Sequence, residues 1–304
     1  MLEILIGLPG SGKSAYAKEK ELEEDNVVVV SSDSIRKEIL GDVNDQSQND
    51  KVFSVLLKKC LEGVRDNKRV IVDATNLNRK RRINFINEFP MGTKIIATVF
   101  AIPFSICCER NNNRERTVPL EIMERMYRTF TPPTREEGYS DIALVMEDEI
   151  PKEDRIESIE AINMKTPHDN PYHSLTCGEH CLETEKTMEK LLEEKGIDDE
   201  IEKKVLLAAA RYHDLSKYKC KGFKSETEVA SFYNHANVSA YDFLSNYCYL
   251  SEILRANCFY IANLIASHMV FYNGAAATRK QRHFFNGLFW EDLFLLHLAD
   301  KMAH

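Results

Sequence analysis

Gly7-Leu8-Pro9-Gly10-Ser11-Gly12-Lys13-Ser14 decides the fold of the first half. The stretch has the spacing GxxxxGK[ST]; the apolar run Leu2–Ile6 precedes it, and Ala15–Glu24 behind it has helical periodicity. Strand, glycine-rich turn and helix in that order aim backbone N–H groups and a helix N-terminus at one point, which suits phosphate. Lys13 is then placed to neutralise the β- and γ-phosphates of a nucleoside triphosphate, and Ser14 to hold Mg²⁺. Gly7, Pro9, Gly10, Ser11 and Gly12 complete the expected nucleotide-binding set. ATP or another NTP, with Mg²⁺, is the expected ligand.

Working outward, Val27–Val30, Arg69–Val72 and Ile95–Ile102 are further apolar runs, separated by amphipathic stretches such as Ile35–Leu40 and Val52–Val64. Nearly continuous apolar strands alternating with helices predict a parallel sheet covered on both faces, an α/β domain. The second half reads as all-α. Glu179–Lys195, Glu200–Tyr212, Ser225–Phe243, Ser251–His268 and Phe289–Ala303 have helical periodicity. Between the halves, Met146–Pro171 is charged and carries Pro151, Pro167 and Pro171, a boundary signal with room for one short strand or helix. The expected division is a first domain at 1–148, a linker at 149–170 and a helical domain at 171–304.

The chain has 304 residues, 43% hydrophobic and 29% charged, enough for two cores and unlike a disordered or fibrous protein. Its longest apolar stretch, Tyr260–Tyr272, is interrupted by Asn263, Ser267 and His268, so no membrane span is expected. Eight cysteines without a CxxC pair and no signal-peptide pattern suggest thiols in the cytoplasm. A net charge of −8 excludes a generally basic nucleic-acid coat and leaves only local patches for polyanions. Nothing in the residues specifies an oligomeric state.

Such patches exist. Arg79-Lys80-Arg81-Arg82 follows the third strand, and Arg110, Arg114 and Arg116 follow the fourth. A charge run is usually a solvated helix face, but guanidiniums at the binding end of a sheet also suit a transferring phosphoryl group. Asp33 and Arg36 follow the second strand, and Asp73 ends the third. Asp33 is a candidate base for an attacking hydroxyl, or the N-cap of the next helix. Asp73 is a candidate for the metal or the substrate, or another cap. No separate acid marks a Walker B position.

Taken together, the glycine-rich loop, Asp33-x-x-Arg36, Val72-Asp73-Ala74-Thr75-Asn76 and Cys108-Glu109-Arg110-Asn111 through Arg114 to Thr117-Val118-Pro119 resemble the 5′-hydroxyl polynucleotide kinases over roughly residues 1–145. The resemblance implies that Asp33 is the general base and that Arg36 contacts a phosphate beside the acceptor nucleoside. It also implies that Asp73 organises the acceptor site, while Arg110 and Arg114 cover the donor phosphates, Arg114 at the γ-phosphate.

In the second half, His213-Asp214 ends the apolar run Val205–Tyr212, where a buried acid and imidazole need compensation. A divalent metal supplies it economically, and His180, His235, His268 and Asp300 on other helices are candidate partners. The order His180, His213-Asp214, Asp300 resembles the HD phosphohydrolase superfamily over roughly residues 170–304. This implies one metal on those four residues, a second completed by His235 and His268, and metal-assisted phosphoester hydrolysis with Lys217 on the substrate phosphate. Mn²⁺, Fe, Co²⁺, Ni²⁺ and Mg²⁺ all suit such ligands. His173 is an alternative first ligand, with Asn170–His173 near the entrance, and His297 is expected to pack.

The combination resembles the HD–polynucleotide kinase end-healing enzymes, which phosphorylate a 5′-OH and clear a 2′,3′-cyclic phosphate or 3′-phosphate from RNA, ahead of a ligase. The expected substrates are RNA or DNA ends. Two other readings use the same residues: a nucleoside or sugar kinase fused to an HD nucleotidase, and an ATP-sensing module on a phosphohydrolase.

Overall fold

The computed structural model describes residues 1–147, 153–170, 174–223, 228–285 and 287–303, with 153–157 described by backbone alone. The chain forms two compact units. The first holds residues 1–126 and 133–147; the second takes 127–132 and the described residues from 153 onward.

In the first unit the elements run β1 (Leu2–Gly7), α1 (Lys13–Glu23), β2 (Val27–Ser31), α2 (Ser32–Leu40), α3 (Asn49–Arg65), β3 (Arg69–Asp73), α4 (Arg79–Ile86), β4 (Ile95–Phe100), α5 (Phe104–Asn112), α6 (Leu120–Thr129, whose end enters the second unit) and β5 (Asp141–Val145). The sheet order is β2-β3-β1-β4-β5, and every pairing is parallel. This is the expected α/β sheet with one more strand. Every residue of β1 is buried, Glu3 included. Glu3 is tolerated because it accepts hydrogen bonds from Arg69 (2.7 Å), Thr98 (2.7 Å) and Tyr16 (2.8 Å). β5 was not expected. It is an edge strand with exposed Asp141 and Ala143, so it lacks the apolar continuity of the inner strands.

Strand order positions the first site. β1 lies between β3 and β4 while β2 lies beyond β3, so the chain reverses direction across the sheet at β1. A crevice opens at the carboxyl ends of strands at such a point. Ser31 at the end of β2 is in register with Asp73 at the end of β3. The loop after β1 and the acids after β2 and β3 therefore share one edge. Gly10 has φ +81°, and a Cβ there would lie 2.3 Å from the Cys107 carbonyl oxygen, so only glycine fits.

The second unit contains α7 (Glu153–Lys165), α8 (Cys177–Lys195), α9 (Glu200–Tyr212), a hairpin of β6 (Lys221–Phe223) and β7 (Ala230–Phe232), α10 (His235–Asp242), α11 (Glu252–Ala256), α12 (Cys258–Ser267), α13 (Ala275–Phe284) and α14 (Leu288–Met302). A capping box of Thr176 and Glu179 starts α8, and Gly196 at φ 65° ends it. α8 packs on α9 and α14, and α10 packs on α12. The buried alanines Ala208, Ala209 and Ala210 line α9. The second half is thus helical as expected, apart from the two-strand hairpin.

Two expectations for this half change. The helix expected over Ser225–Phe243 begins only at His235, because Ala230–Phe232 pairs with Lys221–Phe223 and Asn234 at φ 64° reverses the backbone. The helix expected over Ser251–His268 breaks at Asn257, whose side chain donates to the Ile253 carbonyl (2.9 Å). α13 had no counterpart in the reading. The boundary segment, with room for one short strand or helix, contains α7, whose Asn163 side chain donates to the Asp214 backbone carbonyl at 3.4 Å. None of the eight cysteines is in a disulfide. Among the described residues no helix is long and apolar enough to cross a membrane.

Candidate functional site

The phosphate-binding loop runs from buried Gly7 through Leu8, Pro9, Gly10 and Ser11 to Gly12, at φ 92°, where α1 begins. Lys13 at its start is buried, and its ammonium donates to the Leu8 carbonyl (2.7 Å) and Ser11 Oγ (3.2 Å). Burial pushes Lys13 down to about 8, opposed by the Asp73 charge and reinforced by the Arg114 charge. Ser14 Oγ donates to Asp73 Oδ2 at 2.8 Å. The geometry places Asp73 beside the hydroxyl expected to hold Mg²⁺, on the strand next to β1, which is where a Walker B acid belongs.

Asp33 sits in the first turn of α2, whose cap is Ser31, so Asp33 does not serve as the N-cap. Its Oδ1 accepts from Arg36 (3.1 Å) and its Oδ2 from Arg116 (2.5 Å). Arg36 is buried, donates also to Asn49 (2.9 Å), and has an Nε without a hydrogen-bond partner. Such an orphan donor suits an incoming acceptor oxygen. Arg114 is exposed, close enough for its charge to act on Lys13. Arg110 pairs with Glu147 (2.7 Å).

The basic run after β3 divides. Lys80 and Arg81 are exposed, but Arg79 and Arg82 turn inward to Glu137. Arg82 donates to both Glu137 oxygens (2.8 and 2.6 Å) and to the carbonyls of Asn76 and Leu77 (3.0 Å each). The run is therefore half structural, so neither expectation, a solvated helix face or a phosphate-facing patch, holds for all four residues. Glu137→Ala is expected to destabilise the first unit by about 3–5 kcal/mol, because it leaves the Arg82 charge buried without its carboxylate. Urea unfolding of the full chain, followed with a probe in that unit, reads the loss.

In the second unit four histidines make the same local bond. His180, His213, His235 and His268 each place Nδ1 within 2.6–2.9 Å of a backbone carbonyl, those of Ala303, Ala210, Phe232 and Ile265. A carbonyl only accepts, so each Nδ1 carries a proton, and each Nε2 faces the other way, a donor when the ring is charged and a metal ligand when it is neutral. Those atoms converge. His180 Nε2 lies 2.9 Å from Asp300 Oδ1, and His235 Nε2 lies 3.1 Å from His268 Nε2. Asp214 Oδ1 lies 3.0 Å from His235 Nε2 and 3.6 Å from His268 Nε2. His213 Nε2 has no hydrogen-bond partner, and the nearest oxygens of Asp214 and Asp300 stand 3.6 Å away.

Carboxylates and imidazoles crowded together in a buried site call for positive charge among them. His268 does not provide it, since burial pushes that imidazole down to about 3; burial also works against charge on His213, but Asp214 and Asp300 outweigh it and push that ring up. Burial works against the carboxylate charge of Asp214, yet Lys217 and the surrounding imidazoles outweigh it and hold Asp214 well below the usual range. Burial likewise opposes the Asp300 charge, and His180 and His213 hold it low. Two groups bring their ligand atoms within 4.8 Å of one another: His180, His213 and Asp214, and Asp214, His235 and His268. The donor set fits one or two divalent cations with Asp214 shared, and the Nδ1-to-carbonyl bonds are the outer support such ligands need.

Around this centre, Lys217 Nζ donates to Asp214 Oδ2 (2.6 Å) and lies over the Phe232 ring. Ser216 and Lys219 hold the same loop to buried Asp242. His297 packs its ring on Phe271 and Tyr272. His173 and its neighbours Pro171 and Tyr172 lie outside the described residues. Arg116, expected only as one of a basic cluster suited to phosphate, pairs with Asp33; Tyr272, which donates to Asp300 Oδ2 (3.1 Å), and His168, buried with its ring 5.6 Å from that of His180, had no expected role. Tyr272, four residues past His268, was open to inference; His168 lay in the segment taken for linker.

A parallel sheet with a glycine-rich phosphate loop, joined to a helical unit with buried converging imidazoles, defines a two-domain protein of phosphate chemistry. Family comparison specifies the two parts: residues 2–133 match an AAA domain and residues 177–301 an HD domain. The chain is a P-loop kinase-like domain followed by an HD domain. An L-seryl-tRNA(Sec) kinase of Methanococcus maripaludis is 34% identical over 147 residues, covering 44% of this chain and 53% of that protein. The chain thus spans about half the length of that curated relative. Among solved structures, a chain of a Pnkp1/Rnl/Hen1 RNA repair complex is 25% identical over 41% of this chain and 42% of its own, with a TM-score of 0.37. A chain from another Pnkp1/Rnl/Hen1 complex is 29% identical over 36% and 38%, TM-score 0.34. A gluconokinase from Sinorhizobium meliloti 1021 is 18% identical over 47% and 80%, TM-score 0.34.

Proposed function

We propose that this protein is a bifunctional nucleic-acid end-healing enzyme. Its first domain transfers the γ-phosphoryl group of ATP or another NTP to the 5′-hydroxyl of an RNA or DNA end. Its HD domain removes a 2′,3′-cyclic phosphate or a 3′-phosphate. The observation that carries the reading is the acceptor side of the first site, where Asp33 stands beside the buried, incompletely bonded Arg36. A hydroxyl acceptor needs the carboxylate, and an adjacent phosphodiester suits the guanidinium. The seryl-tRNA kinase likeness supports an acceptor hydroxyl attached to RNA.

In the transfer, the hydroxyl oxygen bonds to the γ-phosphorus while the bond from that phosphorus to the β–γ bridging oxygen breaks. The nucleoside diphosphate leaves, and the hydroxyl proton passes to Asp33. Lys13 and Arg114 offset charge on the phosphoryl oxygens, Arg110 closes the donor side, and Ser14 with Asp73 holds Mg²⁺. In the HD domain, His180, His213, Asp214, His235, His268 and Asp300 hold the divalent ions, which when bound supply Lewis-acid stabilisation of the phosphoester. Lys217 keeps Asp214 oriented and offers its remaining N–H donors to the substrate phosphate. A ligase joining a 5′-phosphate to a 3′-hydroxyl is the class of enzyme that consumes these products.

The test is an RNA oligonucleotide bearing a 5′-OH and a 2′,3′-cyclic phosphate, incubated with ATP, Mg²⁺ and Mn²⁺ and resolved by mass. The expected products gain a phosphate at the 5′ end and lose one at the 3′ end. Phosphorylation of free nucleosides or sugars but not of the oligonucleotide would replace this reading with a metabolic kinase. ATP binding without transfer to any acceptor would replace it with a sensor.

A further inference from the structure

Arg116 lies in the loop after α5, two residues beyond Arg114, and reaches a carboxylate 83 positions earlier in the chain. All three of its guanidinium nitrogens are bonded. Nη1 donates to Asp33 Oδ2 (2.5 Å), Nε to Asn44 Oδ1 (2.9 Å) and Nη2 to the Val43 carbonyl (3.1 Å). Asp33 accepts from Arg36 on its other oxygen. Both oxygens of the candidate base are thus already held by guanidiniums. A carboxylate that takes up a proton in that setting weakens two charge-assisted bonds at once.

We propose that Arg116 is the residue that selects an anionic acceptor. In the acceptor-free site it is stapled to Asp33 and to the loop after α2. A phosphodiester adjoining the attacking hydroxyl offers Nη1, its one link to Asp33, a replacement anion. Arg116 exchanges Asp33 for that phosphate, and Asp33 gains an oxygen for the hydroxyl proton. A neutral acceptor gives Arg116 nothing in return and leaves Asp33 held. Arg36 stays on Asp33 throughout, its Nε completing the acceptor contact. This inference deepens the kinase reading of the same site and rests on it.

The experiment compares two 5′-OH RNA oligonucleotides, one with ordinary phosphodiesters and one with a neutral methylphosphonate at the linkage nearest the 5′ end. Binding is read by fluorescence anisotropy without nucleotide, and KM by phosphate transfer. Arg116→Ala is expected to weaken binding and raise KM for the phosphodiester acceptor about tenfold or more. It is expected to change the methylphosphonate acceptor little and to leave the KM for ATP unmoved, with Arg116→Lys recovering part of the loss. An equal loss on both acceptors would reduce Arg116 to a loop staple and overturn the proposal; so would a selective rise in the KM for ATP. Wild-type protein that discriminates between the oligonucleotides but phosphorylates neither would overturn the kinase reading and leave the acceptor selection standing. Wild-type binding without discrimination would overturn the selection and leave the kinase reading to its own assay.

Discussion

Asp214→Asn is expected to empty the HD centre of metal and to lower its phosphoesterase activity by more than about 100-fold, while 5′ phosphorylation continues at the wild-type rate. Asp214 is the one residue shared by both groups of converging ligand atoms. Its Oδ1 faces His235 and His268, and its Oδ2 is near His213 and bonded to Lys217. Outer-shell partners alone cost about 10–100-fold when lost, so a shared ligand is expected to cost more. The amide keeps the shape and removes the charge. Metal content by mass spectrometry, with separate assays of the two RNA ends, reads the result. Lys217 needs a control, because its buried ammonium loses its carboxylate in this variant and folding would suffer. Asp214→Asn combined with Lys217→Met removes that stranded charge, so a folded double variant still without metal assigns the loss to the ligand. Undiminished metal content, or loss of kinase activity in folded protein, would overturn the two-centre description.

The two centres differed in how far the residues alone revealed them. The phosphate loop is local: strand, glycines, lysine and helix are consecutive, so spacing carries the whole geometry. The HD ligands are scattered over α8, α9, α10 and the ends of α12 and α14, yet each was visible as a polar group on an apolar helix, which burial makes costly. Neither property marks Arg116, whose partners Asp33, Val43 and Asn44 lie far away in sequence and which sits in a loop already rich in arginine. Arg79 and Arg82 misled for the same reason, since the carboxylate that claims them, Glu137, is 55 or more positions later. β5 and the β6–β7 hairpin escaped because edge and short strands expose half their residues and lose the apolar signature. His168 escaped because its segment looked like linker, and only α7 and the burial around it show otherwise.

Lys13→Ala is expected to lower the rate of 5′ phosphorylation by about 10²–10³-fold, the usual cost of removing one preorganised donor to a transition-state charge. The phosphoesterase activity and the metal content of the HD domain should not change. Lys13 has a second readout that a merely structural lysine would lack. Burial holds its ammonium down to about 8, so near pH 8 roughly half of the nucleotide-free molecules carry it uncharged. A bound triphosphate brings negative charge against it and restores the proton. Nucleotide binding near pH 8 is therefore expected to take up about half a proton on this account, and progressively less as the pH falls toward 6, where Lys13 is already charged. Titration calorimetry in buffers of different ionisation enthalpy measures that uptake, and the excess near pH 8 should vanish in Lys13→Ala. Lys13→Arg keeps a charge that does not titrate in this range, so it should bind nucleotide without the uptake. Wild-type uptake that survives in both variants would assign the proton elsewhere and remove Lys13 from the phosphates; retained 5′ phosphorylation in Lys13→Ala would remove it from the chemistry as well.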